Sequence, residues 1–323
     1  MNPYISIIIP VYNTANYVAR TLNSIIQQNF DGYEIILIDD GSRDNSNNIC
    51  KQYAATYPHI IFIEKENEGV AITRNKALNI AHGEYIFFID SDDIVYPESF
   101  GKVVSILTNT QPDFLRYDFN TIDIHDANLY PNHLRKKRKK YHCMVLNAAD
   151  FMQKVIKNEY YLCMHVFRRD IIDKNNIRFL DGCTYNEDTL FIIQYLQHCS
   201  KCIYADILFY GYRKWDEAVT AHFTEKHYND VKRVYWALSK LATDNNKIQM
   251  GKNIQRVAGE LALHLHKHVS AKQHIDKEYQ DIENDCKQKA LSIEWNFKRW
   301  LPENLCNIAW ELINLIKKIA NRL

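Results

Sequence analysis

Three acids stand within four residues at the end of an apolar run: Tyr85 to Ile89 leads straight into Asp90-Ser91-Asp92-Asp93. Carboxylates crowded at the end of a buried strand repel one another, and such a cluster persists where a hard cation or a ligand's hydroxyls satisfies the oxygens. Mg2+ and Mn2+ take oxygen ligands, commonly one or two carboxylates, with substrate phosphates completing the shell. Asp and Ser are also ordinary turn and N-cap residues, so a solvated strand-to-helix turn accounts for the cluster taken alone. It has company, however. Tyr12-Asn13, Asp39-Asp40-Gly41-Ser42 and Asn67-Glu68-Gly69 each follow an apolar run of their own. Helix capping explains part of this pattern and explains less well why the acids come in pairs.

The elements that would carry these clusters alternate cleanly over the first hundred residues. Ile5 to Val11 is an unbroken run rich in β-branched residues, as expected of a strand covered on both faces. Val18, Leu22, Ile25 and Ile26 then paint one face of a helix. Tyr33 to Ile38 reads as a second buried strand, Asn45 to Tyr57 as a polar helix, and Ile60 to Glu64 as a third strand. A helix over Gly69 to Ala81, stopped by Gly83, precedes the fourth strand at Tyr85 to Ile89. This alternation predicts an α/β fold, with right-handed crossovers and a mostly parallel sheet flanked by helices. Ligands of such sheets bind outside the carboxyl ends of the strands, and all four polar clusters fall there.

Beyond Asp113 the pattern is less regular. Phe114 to Ile124 and Tyr204 to Tyr212 read as further strands, and Leu146 to Asp181 as a second α/β-like stretch leading to a helix that starts near Glu187-Asp188. Arg135 to Lys140 is a run of six consecutive cations that could meet an anionic membrane surface or a diphosphate, though such runs are usually solvated loops. From Glu225 onward the chain reads as helical.

Composition narrows the function classes. Hydrophobic residues make up 46% of the 323, enough for a sizeable core. Forty Lys and Arg balance 39 Asp and Glu, so net charge gives no argument for nucleic acid. Eight cysteines in a chain of this length are no dense disulfide framework, and Cys199 and Cys202 read as small packing residues. A reduced, cytoplasmic setting is expected, and no apolar run approaches the ~20 residues that span a bilayer. The absence of Gly-x-Gly-x-x-Gly after the first strand argues against a dehydrogenase.

Set in order, the clusters resemble those of the family 2 glycosyltransferases with a GT-A fold. The resemblance rests on Ser6 to Asn13, on Ile38-Asp39-Asp40-Gly41-Ser42 with Asp44, and on Asn67 and Gly69 with Thr73-Arg74-Asn75. It continues through Gly83 to Asp93, Glu187-Asp188 with Phe191, and more faintly Tyr212-Arg213 with Val219-Thr220. The motifs cover residues 3 to 223. Two departures stand out: Thr73 where Ala commonly precedes Arg-Asn, and Asn186 where Gly often precedes Glu-Asp. Neither removes a carboxylate.

The resemblance implies a Rossmann-like GT-A domain over residues 1–223, its nucleotide-sugar half ending near 112 and its acceptor half running from 113 to 223. A helical region over 224–323 follows. It implies a nucleotide-sugar donor, most often UDP-linked, and Mn2+ or Mg2+ as cofactor. Asp40 would accept from the uracil N–H, with Pro10, Tyr12 and Asn13 lining the base pocket beside Asn67 and Gly69. Asp39 would contact the base or brace the turn. Arg74 offers a planar fork for phosphate or base, or else a surface ion pair. Asp90 with Ser91 would hold the ribose and Asp92 the metal, while Asp93 completes the metal's shell through water or caps a helix. His222 is a further candidate at the metal or diphosphate. Members of this family invert the anomeric centre, which calls for a general base. Asp188 takes that role by position, with Glu187 as second candidate or acceptor clamp; the plain alternative is that both cap a helix.

The tail adds a question of location. Leu305, Ile308, Leu312, Ile316, Ile319 and Leu323 form one apolar stripe, with Trp295, Lys298, Arg299 and Trp300 upstream. An amphipathic helix over 303–323 would lie on the inner face of the membrane or pack on the catalytic domain. The acceptor expected there is a saccharide or a polyprenyl-diphosphate-linked saccharide. Two other functions compete: a sugar nucleotidyltransferase, disfavoured by Tyr12-Asn13-Thr14-Ala15 where a Gly-rich basic loop would stand, and a non-catalytic nucleotide-sugar-binding module, disfavoured by the intact Glu187-Asp188 pair.

Overall fold

In a computed structural model, residues 3–28, 30–215, 223–245, 247–272 and 276–288 are described. Val219, Thr220, His222 and the stripe over 303–323 lie outside them. The chain divides into two compact units, Met1–Asp230 and Val231–Leu323.

The first unit is built on one mixed sheet of ten strands. Strand β1 (Ile5–Val11) is buried along nearly its whole length and pairs in parallel with β2 (Tyr33–Asp40), which is buried throughout. β3 (Ile60–Lys65) continues the parallel run beyond β2, and β4 (Tyr85–Phe88) lies on the other side of β1. The crossovers are α1 (Val18–Ile26), α2 (Ser46–Thr56) and α3 (Val70–Ile80). In α1 the expected residues Val18, Leu22 and Ile25 are fully buried. Burial of each such side chain stabilises by roughly 1.5–3 kcal/mol. Because the chain goes from β1 outward to β3 and then returns to β4 on the opposite side, the β1/β4 boundary is the switch point where open sheets form a crevice.

β5 (Ile94–Val95) and α4 (Phe100–Thr110) lead to β6 (Phe114–Ile122), followed by β7 (Asn128–Pro131), α5 (Arg135–Arg138) and β8 (Val145–Leu146). α6 (Ala148–Phe151) runs into one wide turn at Met152–Ile156. Next come β9 (His165–Arg168), α7 (Arg169–Lys174), α8 (Glu187–Leu196) and the long β10 (Cys202–Arg213). The strand order is β3-β2-β1-β4-β9-β6-β10-β5, with β7 beside β6 and β8 beside β10. The sheet departs from the expected parallel pattern at β9, which is antiparallel to both β4 and β6 and joins two parallel groups. Residues 146 to 181 therefore supply the end of β8, strand β9 and short helical turns, not a second α/β repeat.

The basic run also differs from expectation. Lys136, Lys137, Lys139 and Lys140 are exposed, but Arg138 is completely buried. Its guanidinium bonds Asp118, Glu159 and the Val155 carbonyl. Arg116, equally buried, shares Glu159 with it, and Asn132 donates to the same carboxylate oxygen. Burial, then Arg138, pushes the Arg116 pKa down to about 10. Four charged groups in one dry layer hold each other in place; a solvated loop was expected because a run of like charges carries no sign of its partners.

In the second unit α9 (Glu225–Thr243), whose first residues belong to the first unit, is followed by α10 (Ile248–Lys272) and α11 (Lys277–Gln288). Lys232 binds Asp276 and Glu278, and Tyr235 donates to Asp285. No helix among the described residues is long and apolar enough to cross a membrane.

Candidate active site

Two hinge glycines shape the nucleotide side of the crevice. Gly41, after β2, has φ +73°, and a Cβ there would stand 2.8 Å from the Asn67 backbone nitrogen. Gly69, the residue before α3, has φ +93°. Only glycine takes such angles without strain, and here they press two loops together. Asp40 joins the same loops. Its carboxylate accepts from the Lys65 ammonium and from the Glu68 and Gly69 amides, each of the latter at 2.9 Å, while its carbonyl accepts from the Asn67 side chain. The acid expected to meet uracil is thus buried and largely occupied by its own chain. Asp39 braces the turn, accepting from the Ser42 amide and the Asn47 side chain. Asn13, at φ +51°, gives its amide to Ser42 Oγ and accepts from the Arg43 amide. Pro10 is the penultimate residue of β1, and Tyr12 beyond the strand leaves 45% of its surface exposed at the rim.

One cation organises the catalytic side. Arg74, on the second turn of α3 and 5% exposed, donates from Nη1 to Glu187 and Asp188 and from Nη2 to Asp90, each at 3.0 Å. Its guanidinium lies over the Phe179 ring, 5.5 Å from the centroid. Burial opposes its charge, but Asp188, Asp90 and Glu187 outweigh that and raise its pKa further. The surface ion pair that competed with a ligand role for this residue is therefore replaced by a buried fork shared among three motif acids.

α8 presents Glu187 and Asp188 because of what surrounds its first turn. Asn186 sits in the left-handed region at φ 63°, which explains why Asn stands here in place of Gly: both tolerate that conformation. Phe191, one turn on, stacks on Phe179 with centroids 4.1 Å apart and packs edge-on against Phe88 of β4. The helix is thereby registered to the strand that ends at Asp90. Asp188 Oδ2 accepts from the Leu162 amide at 3.2 Å. Burial pushes the Asp188 pKa up to about 8; Arg74 pulls the other way, and Glu187 and Asp90 add to the rise.

The turn after β4 is fastened from several directions. Thr21 Oγ1 of α1 donates to the carbonyls of Ser91 and Asp93, at 2.9 and 2.7 Å. Thr14 donates to Ser91 Oγ, and the Asp90 amide donates to Tyr210 Oη. Arg213 closes the turn: its amide donates to Asp93 Oδ1 and its Nε to the Asp92 carbonyl. Trp215 Nε1 donates to Asp92 Oδ2 at 2.7 Å. Burial, then Asp90, lifts the Asp92 pKa to about 6. Asp93 is raised well above the ordinary carboxylate range by burial, then by Asp92 and Asp90. Arg213 appeared in a motif without a role, and Trp215 was missed; nothing local links either residue to acids some 120 positions earlier.

Several features suit a divalent cation. Asp93 Oδ2 is a buried carboxylate oxygen without a hydrogen-bond partner. Asp90, Asp93 and Cys163 each bring a ligand-type atom within 4.8 Å of the others. The two carboxylates match a hard ion and the thiol does not. Asp92, the expected ligand, stands outside that group but is the half-buried acid beside it. His222 lies outside the described residues.

With this geometry in view, the comparisons with known proteins are direct. The family model for glycosyl transferase family 2 matches residues 6–175. The chain belongs to that family. A relative from Escherichia coli strain K12, the uncharacterized glycosyltransferase YibD, is 28% identical over 251 residues, covering 75% of this chain and 71% of its own. The minor teichoic acid biosynthesis protein GgaB of Bacillus subtilis strain 168 is 29% identical over 224 residues, 68% of this chain but 24% of its own length. Among solved structures, Staphylococcus aureus TarS 1-349 in complex with UDP-GlcNAc superposes with a TM-score of 0.63 at 19% identity, covering 88% of this chain and 92% of that one. The GT-A fold expected from the motifs is thereby shown, and the chain is a glycosyltransferase of this family with a relative named for teichoic acid biosynthesis.

Proposed function

We propose that the chain is an inverting transferase that moves a sugar from a UDP-sugar to a saccharide or lipid-linked saccharide of a surface polymer. The observation that carries this reading is Arg74 bonded at once to Asp90, Glu187 and Asp188, because it draws the acids of segments a hundred residues apart to one point. The UDP donor is supported by the fold shared with a structure holding UDP-GlcNAc. Tyr12 offers an exposed aromatic face to the base. Asp40 fixes the Asn67–Gly69 loop that walls the base pocket and meets the base edge with what acceptor capacity remains.

Asp188 takes the proton of the acceptor hydroxyl. The oxygen forms its bond to the anomeric carbon from one face while the bond to the β-phosphate breaks on the other, and UDP departs with the electron pair. A carboxylate whose pKa lies near 8 is well matched to that task. Glu187, held by the same guanidinium, clamps the acceptor hydroxyl. Asp90 and Ser91 receive the ribose. Asp92 would hold Mg2+ or Mn2+, with Asp93 behind it, and a cation bound there neutralises the charge that develops on the departing diphosphate. The residues over 303–323 would anchor the chain at the inner membrane face.

Replacing Asp188 by Asn should abolish transfer while leaving UDP-sugar binding in place. Replacing Asp92 by Asn should weaken the Mn2+-dependent thermal shift given by UDP. Full transfer activity in Asp188→Asn would reject the assignment of the base.

A further inference from the structure

A concave site of about 170 Å3 opens on the far side of the catalytic acids from the base pocket. Its walls include Tyr130, Asn132, Glu159, Tyr161, Tyr212 and Lys214, contributed by the ends of β7 and β10 with the residue after each, and by the segment before β9. The sheet order fixes its place: the uracil side lies at β1, β2 and β3, the catalytic acids follow β4, and this cavity belongs to β6, β7 and β10. Tyr161 directly precedes Leu162, whose amide holds Asp188 Oδ2, so the cavity wall and the base are linked through one peptide unit.

The lining is that of a site for a ring. Tyr130 and Tyr161 leave 47% and 45% of their surfaces exposed, and Tyr161 stacks roughly parallel to Tyr212 at 6.3 Å. Half-exposed aromatic faces around a polar floor suit the C–H faces and hydroxyls of one sugar. The volume is below the ~300 Å3 at which sites for drug-sized ligands begin. The electrostatics add a second requirement. Glu159, the acid of the lining, is neutralised by Arg116 and Arg138. Lys214 is exposed, its Nζ poised 5.2 Å from the Tyr130 ring centroid, with its amide tied to the Ile122 carbonyl. Among the described residues it makes no ion pair. The cavity therefore presents one uncompensated positive charge at its rim.

We propose that this cavity is the acceptor subsite, and that it takes a single sugar or polyol unit bearing a negatively charged group, a phosphate or a carboxylate, which Lys214 binds. The proposal rests on the transferase reading above and adds the acceptor's chemical class. Tyr161 and Tyr212 seat the unit so that its free hydroxyl reaches Asp188, and Lys214 selects the charged substituent.

Binding of three probes by saturation-transfer NMR tests it: p-nitrophenyl β-glucoside, the same glucoside phosphorylated at O6, and p-nitrophenyl β-glucuronide, each with UDP present. The wild-type chain should bind at least one of the two anionic probes ten-fold or more tighter than the neutral one, and which of them leads tells phosphate from carboxylate. Lys214→Gln should bring that ratio within two-fold, and Tyr161→Ala should weaken all three probes at least ten-fold. Both variants should keep the wild-type thermal shift with UDP, whose pocket lies at β1 to β3. Unchanged probe binding in both variants, or no binding of any probe to the wild type, overturns the subsite. Absence of both the UDP shift and UDP-sugar hydrolysis in the wild type overturns the transferase reading itself, and the subsite with it.

Discussion

Removing the shared cation while keeping its shape gives the sharpest test of the catalytic geometry. In Arg74→Gln, Asp188 loses the strongest influence that opposes the rise of its pKa. Nitrogen and oxygen are 3.0 Å apart, which puts the charge centres about 4 Å apart, worth about 4 kcal/mol at an effective dielectric of 20. The Asp188 side chain is 27% exposed, so solvent screening reduces that figure. Taking about half, ~2 kcal/mol, gives an upward shift of roughly 1.5 pKa units. The acidic limb of kcat/KM, set by ionisation of the base, would move from about 8 to roughly 9.5. At pH 7 the ionised fraction would fall from about one in eleven to about one in three hundred, a loss of roughly 30-fold, most of which returns near pH 10. The assay is UDP release from a UDP-sugar across pH 6 to 10, with acceptor present. A limb that stays within about 0.3 of its parent position, or a loss that alkaline pH does not restore, would refute the argument that Arg74 tunes the base.

Three further outcomes follow from the same structure. Asp188, Asp92 and Asp93 all have pKa values raised above their unfolded values, so between about pH 5 and 8 these three hold more protons folded than unfolded, an excess that His59 and His165, lowered by burial, offset only in part. Thermal stability of the ligand-free chain should therefore fall as pH rises through that window; a melting temperature that climbs steadily from about pH 5 to 8 would contradict the assigned shifts. Arg138→Met should cost about 3–5 kcal/mol in urea unfolding, since it leaves buried Asp118 without its cation, and adding Asp118→Asn should recover part of the loss. A cost below about 1 kcal/mol would mean that the buried ion network does not hold the layer together. Asn186→Val should destabilise by about 1–2 kcal/mol while Asn186→Gly stays near the parent, read in the same titration; equal costs would remove the backbone explanation for Asn at that site.

The strands and their carboxyl ends were legible because their signals are local. Ile5 to Val11 and Tyr33 to Ile38 are too apolar and β-branched for anything but covered strands, and Gly41 and Gly69 mark the turns that crowd the acids. Glu187-Asp188 could be placed because Phe191 three residues on belongs to the same motif, and its packing on Phe179 supplies the reason for that spacing. Contacts between distant segments were not legible. Arg138 is one cation among neighbours of the same charge, and its burial depends on Asp118 and Glu159, which reach it only through the fold. Strand β9 is four residues long and is stabilised by neighbours on both sides, so it leaves no period to detect. The partners of Asp40 were not legible for a similar reason: Lys65, Glu68 and Gly69 come from the next strand end and loop along the sheet.

The clasp of Arg213 on the turn after β4 bears on how the protein is made. A ribosome releases residues 1–112 long before residue 213 exists, and N-terminal segments generally begin to fold first. The nucleotide half can form its β1–β4 layer at that stage, yet the amide that holds Asp93 and the nitrogen that holds the Asp92 carbonyl are still to be synthesised. The acidic turn thus acquires its final shape only when the last strand of the sheet threads in beside β6. A nascent or truncated chain ending before β10 would carry every acid of the motif and still lack the clasp that sets their geometry.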